Sequence, residues 1–236
     1  MISKAKLKEL AAYRMAKVCD QEQVFVVEGP KMCQEALEAQ LPILAICATA
    51  EWLRQHPGLP VEAQEVGGAE LERLSSMKNP NQVWMLLSRH FQPLCEPNPH
   101  GLTLVLDRLQ DPGNLGTIIR TADWYGVRRI VCSEDTVSCF NPKVVQASMG
   151  GVFRTQVDYR PLLPFLQQHQ GPIYGALLDG ESLYARPVAP NDALLVIGNE
   201  SRGISPELQP HITRRLLIPN RGGTCESLNA SIATAI

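Results

Sequence analysis

Three times in the second half of this chain an apolar run stops at a polar, glycine-containing turn, and a helix-like segment follows. The runs are 102–106, 193–197 and 215–218. Segments such as Leu104-Val105-Leu106 and Leu194-Leu195-Val196-Ile197 are apolar at successive positions, which implies strands buried on both faces, as in a parallel sheet flanked by helices. The rest of the chain keeps the same alternation, so the expected class is α/β. The first part reads as helix 3–18, strand 23–27, helix 30–39, strand 43–47, helix 50–55, strand 61–66, helix 69–76 and strand 82–87. The second reads as strand 102–106, helix 115–125, strand 129–132, helix 142–149, strand 155–158, helix 161–169 and strand 173–178. Strand 193–197, helix 205–211, strand 215–218 and a helix from 227 complete it.

Between the two parts, residues 90–101 hold three prolines and show no periodicity. Proline blocks both helix and interior strand, so a linker is expected at 93–100, between a domain of residues 1–92 and one of 101–236. A length of 236 residues accommodates two domains. The apolar fraction of 44% and charged fraction of 19% are ordinary for a soluble globular protein. No apolar run is long enough to span a bilayer and no signal-type segment opens the chain, so neither membrane anchor nor export is expected and a cytoplasmic site is. The seven cysteines form no Cys-x-x-Cys pair and no metal-ligand spacing, which predicts reduced, structural thiols and no metal.

A net charge of −2 excludes a protein that coats nucleic acid indiscriminately, but a local patch is another matter. Lys4, Lys6, Lys8, Arg14 and Lys17 outweigh Glu9 and Asp20 near the start, and spacings of three and four put several of them on one helical face. They form either a surface for RNA phosphates or a solvated helix face.

The polar turns carry the chemistry. In Asp107-Arg108-Leu109-Gln110-Asp111-Pro112-Gly113-Asn114, Asn114 is placed as an N-cap, and Arg120 follows inside the helix. Read alone, Arg120 is a snorkelling surface residue paired with Asp123. In Gly198-Asn199-Glu200-Ser201-Arg202-Gly203-Ile204-Ser205-Pro206 a glycine ends the strand, and Ser205-Pro206 looks like a capped helix start. The third turn runs Ile218-Pro219-Asn220-Arg221-Gly222-Gly223-Thr224-Cys225-Glu226-Ser227-Leu228-Asn229, with Ser227 and Asn229 at a helix opening. No G-x-G-x-x-G is present in the first turn, so a dinucleotide-binding dehydrogenase is a poor fit.

Together, in this order, the three turns resemble the signature motifs of the SpoU/TrmH family, within the SPOUT class of S-adenosylmethionine-dependent RNA ribose 2′-O-methyltransferases. The resemblance implies a catalytic domain over 101–236 whose C-terminal segment forms a trefoil knot and continues beyond Ile236. It is preceded by a smaller L30e-like α/β domain that binds RNA. It assigns Asn114, Arg120, Glu200, Ser227 and Asn229 to catalysis, and Gly198, Asn199, Gly203, Ile218, Pro219 and Leu228 to S-adenosylmethionine. A guanidinium keeps its proton in proteins, so Arg120 reads better as a clamp on phosphate and developing alkoxide than as a base. Glu200 is expected to orient Arg120 or an amide of the third motif. The implied partners are RNA, ribosomal rather than transfer because of the N-terminal domain, and a second copy in a homodimer. A transfer-RNA methyltransferase and a non-catalytic ribosome-assembly factor are the alternatives. Two departures from the family pattern stand out: Asn220 where methionine is common, and a 222–225 stretch one residue longer.

Overall fold

The computed structural model describes residues 2–91, 101–185 and 192–236; the linker expected at 93–100 lies outside them. The chain divides into two compact units, Met1–Gln92 with Phe140–Gly150, and Pro93–Cys139 with Gly151–Ile236. Residues 140–150, within the stretch read as the second domain, thus group with the first unit.

The first unit contains α1 (Lys4–Ala11), α2 (Ala16–Glu22), β1 (Val24–Glu28), α3 (Pro30–Glu38), β2 (Ile43–Ala48), α4 (Ala50–Gln55), β3 (Ala63–Glu65), α5 (Gly68–Leu74) and β4 (Val83–Ser88). Its sheet runs β1-β4-β2-β3. β4 is antiparallel to both neighbours and only β2–β3 is parallel, so this sheet is mixed. β1 is buried along its whole length. Val24 and Val26 pack with Leu7, Leu10, Leu71 and Trp84, while Phe25 lies 4.9 Å from the ring of Phe140. Burying each such side chain contributes about 1.5–3 kcal/mol. The single helix read over 3–18 is broken by a 3-10 turn at Ala12–Arg14.

The second unit holds β5 (Leu102–Leu106), α6 (Pro112–Trp124) and β6 (Arg129–Cys132). After α7 (Pro142–Ser148), which belongs to the first unit, it continues with β7 (Gln156–Tyr159), α8 (Leu162–Gln168), β8 (Ile173–Ser182), β9 (Ala193–Ile197), β10 (Arg214–Leu217) and α9 (Ala230–Ala235). Its sheet is parallel throughout, in the order β10-β8-β9-β5-β6-β7. β5 sits between β9 and β6, and Val105 and Leu106 are completely buried. α6 buries Leu115, Ile118, Ile119 and Ala122, spaced as one face of a helix. Open parallel sheets bind ligands at the carboxyl ends of their strands, and the three polar turns leave β5, β9 and β10 at those ends.

Three local expectations are corrected. The N-cap of α6 is Asp111, whose carboxylate accepts from the Asn114 N–H at 2.8 Å; Asn114 lies within the first turn. Helix 205–211 does not form. The buried Asp107 carboxylate takes both the N–H and the hydroxyl of Ser205, each at 2.6 Å, and only a 3-10 turn at Gln209–His211 follows. A buried carboxylate needs donors, and here it draws them from the residue that would have capped the helix. α9 is capped by Asn229 and begins at Ala230, later than the start expected at 227.

Candidate active site

The hydrogen bonds at the three turns fix the orientation of their amides one after another. Asn229 Oδ1 caps α9 by accepting from the Ser231 N–H at 2.9 Å and the Ser231 hydroxyl at 2.6 Å. Its amide nitrogen must then donate, and it does so to Asn114 Oδ1 at 2.9 Å. That leaves Asn114 Nδ2 as a donor, and it meets Glu200 Oε1 at 2.8 Å. Residues far apart in sequence are thereby joined in one relay, Glu200–Asn114–Asn229. Its direction is set by a helix cap at one end and an acceptor-only carboxylate at the other. Asn114 is the partner of Glu200, in place of the Arg120 or third-motif amide expected, and Glu200 reaches Asn229 only through it.

The loop carrying Glu200 is held closed. Asn199 and Gly203 exchange backbone hydrogen bonds of 3.1 and 2.9 Å. Asn199 Oδ1 accepts from the N–H groups of Ser201 and Arg202 at 3.0 and 3.1 Å, and Asn199 Nδ2 donates to Arg108 O at 2.8 Å. The side chain of Asn199, assigned from sequence to the cofactor, is therefore committed to tying two loops together. A Cβ on Gly198 would lie 2.2 Å from Gly203 C, so glycine is needed there for space. Gly203 is needed for conformation, at φ +66°.

Arg120 is exposed and makes no hydrogen bond or ion pair among the described residues. Its anticipated partner Asp123 is taken by Arg154 at 2.9 Å and Arg128 at 3.7 Å. The guanidinium is thus left free on the same helix as Asn114. Ser227 is exposed and unbonded among the described residues. The cations Lys4, Lys6, Lys8, Arg14 and Lys17 are all exposed, in the other unit, with Lys6 bonded to Glu9.

Sequence reasoning gave two structurally important residues no role. Asp107 anchors the second loop through Ser205. Asn220 organises the third: its Oδ1 accepts from Gly222 and Gly223 N–H at 2.9 and 2.7 Å, and its Nδ2 donates to the carbonyls of Gly223 and Cys225 at 3.0 and 3.3 Å. The main chains of Ile218 and Leu228, by contrast, bond to no described residue, and the Leu228 side chain is 49% exposed. Free N–H and C=O groups beside apolar side chains suit an adenine edge and face, so these residues fit an adenosyl cofactor. Among the described residues no cluster of His, Cys, Asp or Glu could hold a metal ion, and no helix is long and apolar enough to cross a membrane.

Residues 101–236 match the model of the SpoU rRNA methylase family. The chain belongs to that family. Residues 4–84 of this SpoU-family chain also match the MRM3-like substrate binding domain. Over 98% of its length it is 26% identical to the 23S rRNA (guanosine(2553)-2′-O)-methyltransferase RlmP of Bacillus subtilis, covering 93% of that protein. A solved Porphyromonas gingivalis chain assigned to the TrmH family of RNA methyltransferases is 40% identical. It superimposes with a TM-score of 0.86 over 100% of this chain and 96% of that one. An S-adenosylmethionine-bound rRNA methyltransferase from Sinorhizobium meliloti gives 28% identity and a TM-score of 0.82, over 100% and 93%.

Proposed function

We propose that this SpoU-family enzyme methylates a ribose 2′-hydroxyl in structured ribosomal RNA, with S-adenosylmethionine as donor. The observation that carries the reading is the relay Glu200–Asn114–Asn229, which gathers one polar residue from each of the three turns. When bound, S-adenosylmethionine supplies an electrophilic methyl group on a sulfonium sulfur. The main chains of Ile218 and Leu228, with the turn at Pro219 and the close backbone approach at Gly198 and Gly203, would hold its adenosyl part. Methyl transfer requires the ribose oxygen to be aligned with that carbon, and alignment is a large share of the catalysis. Asn114, locked at both ends of its amide, is the aligning group. Arg120 holds the adjoining phosphate and stabilises negative charge as it develops on the 2′-oxygen. Ser227 borders the cofactor loop.

The 23S rRNA activity named for the Bacillus relative favours ribosomal over transfer RNA. The match of residues 4–84 to a substrate binding domain supports an L30e-like RNA-binding role for the N-terminal unit, through the cations between Lys4 and Lys17. The second unit is read as a SPOUT domain with a C-terminal trefoil knot, working in the cytoplasm as a homodimer. Trp124 and Tyr125 at the end of α6 are 84% and 67% exposed, and Ile232 and Ile236 on α9 and at its end are each 51% exposed. An apolar set of that kind supports a helix-to-helix dimer face.

The test is transfer of labelled methyl from S-adenosylmethionine to protein-free 23S rRNA. The product nucleotide should resist alkaline cleavage, because its 2′-oxygen is blocked. Label entering only transfer RNA would correct the substrate, and label entering no RNA would refute the reading.

A further inference from the structure

Next to the relay lies a second polar site, and the motif reading gave none of its lining residues except Asn199 a role. Arg108, Gln110, Asp135, Asn199, Ser201 and Arg202 line a cleft of about 380 Å³. Its walls are the loops that follow β5, β6 and β9, three adjacent strands of the parallel sheet. Those loops are cross-braced. Arg108 N–H donates to Ser133 Oγ at 2.8 Å, Gln110 Nε2 to Asp135 O at 2.9 Å, and Asn199 Nδ2 to Arg108 O at 2.8 Å. Arg108 is held at φ +56°, a left-handed conformation uncommon for a non-glycine residue and concentrated where loops serve a ligand.

The chemistry of the lining is specific. Asp107 Oδ1 lies 3.4 Å from Arg108 Nε, and no described residue bonds the two terminal nitrogens of Arg108. Arg202 is exposed and its guanidinium has no partner among the described residues, so it is the uncommitted cation of the cleft. Asp135 Oδ1 accepts from Ser133 Oγ at 2.7 Å, while its other oxygen bonds to no described residue. Two guanidinium groups favour a phosphate. A single carboxylate on the same wall repels that phosphate but accepts from a donor edge, and guanine is the base with two adjacent donors, N1–H and N2–H.

Resting on the methyltransferase reading, we propose that this cleft is a nucleotide subsite beside the reacting ribose. Arg202 and Arg108 hold an RNA phosphate, and Asp135 and Gln110 read a guanine edge. The experiment is equilibrium binding of in-vitro-transcribed 23S rRNA to the full chain across a KCl series, with S-adenosylmethionine affinity measured in parallel. Arg202→Gln should weaken RNA binding about tenfold, the worth of one hydrogen bond to a charged group. It should also flatten the slope of log affinity against log salt by about 0.7, one phosphate contact on single-stranded RNA. Cofactor affinity should not change. In competition, 5′-GMP should displace the RNA at a concentration at least about fivefold lower than 5′-AMP, a modest value for a paired base-edge contact. Asp135→Asn should abolish that difference. Wild-type affinity and slope in Arg202→Gln, equal competition by the two nucleotides, or failure of the chain to bind the rRNA would each overturn the proposal. Binding is read without turnover, so an inactive wild type would count against the methyltransferase reading and leave this result standing.

Discussion

Gly198→Ala tests whether the loop geometry at the end of β9 is as tight as the structure makes it. The added Cβ would lie 2.2 Å from Gly203 C, 2.3 Å from Ile204 N and 2.6 Å from Gly203 O. All three are main-chain atoms, so no rotamer change relieves them, and ordinary contact would require the loop to open by about 1 Å. Opening strains or breaks the Asn199–Gly203 pair. With about 1–3 kcal/mol for overpacking and about 0.5–1.5 for each lost hydrogen bond, the expected loss of stability is about 2–6 kcal/mol. At about 2–4 °C per kcal/mol for a chain of this size, the melting temperature should fall by roughly 5–20 °C. The same displacement takes Glu200 out of bonding range of Asn114, and a 1 Å misplacement costs about 10² in rate. Gly203→Ala is the control. Its Cβ meets nothing within 4 Å, but φ is +66°, so only a conformational cost of about 1 kcal/mol is expected. Thermal unfolding, calorimetric titration with S-adenosylmethionine and single-turnover methylation read the three effects. A Gly198→Ala chain with wild-type melting and cofactor affinity would refute the steric argument.

Arg120→Ala should lower the single-turnover rate by about 10²–10³, with Arg120→Lys intermediate because it keeps charge without the planar fork; cofactor affinity should be unchanged in both. Asn220→Met removes four hydrogen bonds from the third loop and should weaken S-adenosylmethionine binding about tenfold, the worth of one or two net bonds, while the melting temperature changes little. Ellman's reagent at pH 8 should label the exposed Cys225 quickly and leave Cys19, Cys33, Cys47, Cys132 and Cys139 unreacted, since all five are buried. Burial pushes the thiols of Cys19, Cys33, Cys47 and Cys132 up, that of Cys47 to about 11. The unfolded chain, whose thiols titrate near 9, then loses protons first as pH rises. Their contribution is complete below about pH 9 and declines toward pH 11, by up to about 1.4 kcal/mol per thiol per pH unit. Denaturant midpoints at pH 7, 9 and 10.5 measure this.

The buried strands were the most legible part of the fold. β5, β6 and β9 run over the residues expected, because burial on both faces leaves the successive apolar positions Leu104-Val105-Leu106, Ile130-Val131-Cys132 and Ala193-Leu194-Leu195-Val196-Ile197. Strand direction was not legible in the first unit. Local alternation is the same for parallel and antiparallel neighbours, and the pairing of β1 with β4 is settled by contacts across some sixty residues. The failed helix at 205–211 has a similar origin. Ser205-Pro206 is a sound local start signal, but Asp107, 98 residues earlier, competes for the same donors in a buried setting where they are worth more.

The two departures in the third motif carry the same lesson further. Taken separately, Asn220 and the longer 222–225 stretch weaken the family pattern slightly. In the structure they are one arrangement. The Asn220 amide accepts from two N–H groups and donates to two carbonyls, all between Gly222 and Cys225. Methionine has no donor and only a weak acceptor and could close no such turn. Gly222, at φ +102°, supplies the backbone conformation that completes it. The loop is therefore pinned from within over 220–225, while the main chains of Ile218 and Leu228 on either side bond to no described residue. Asn229 then returns the chain to the relay. Asn220 is thus the internal brace of a loop that ends at the fixed amide of Asn229.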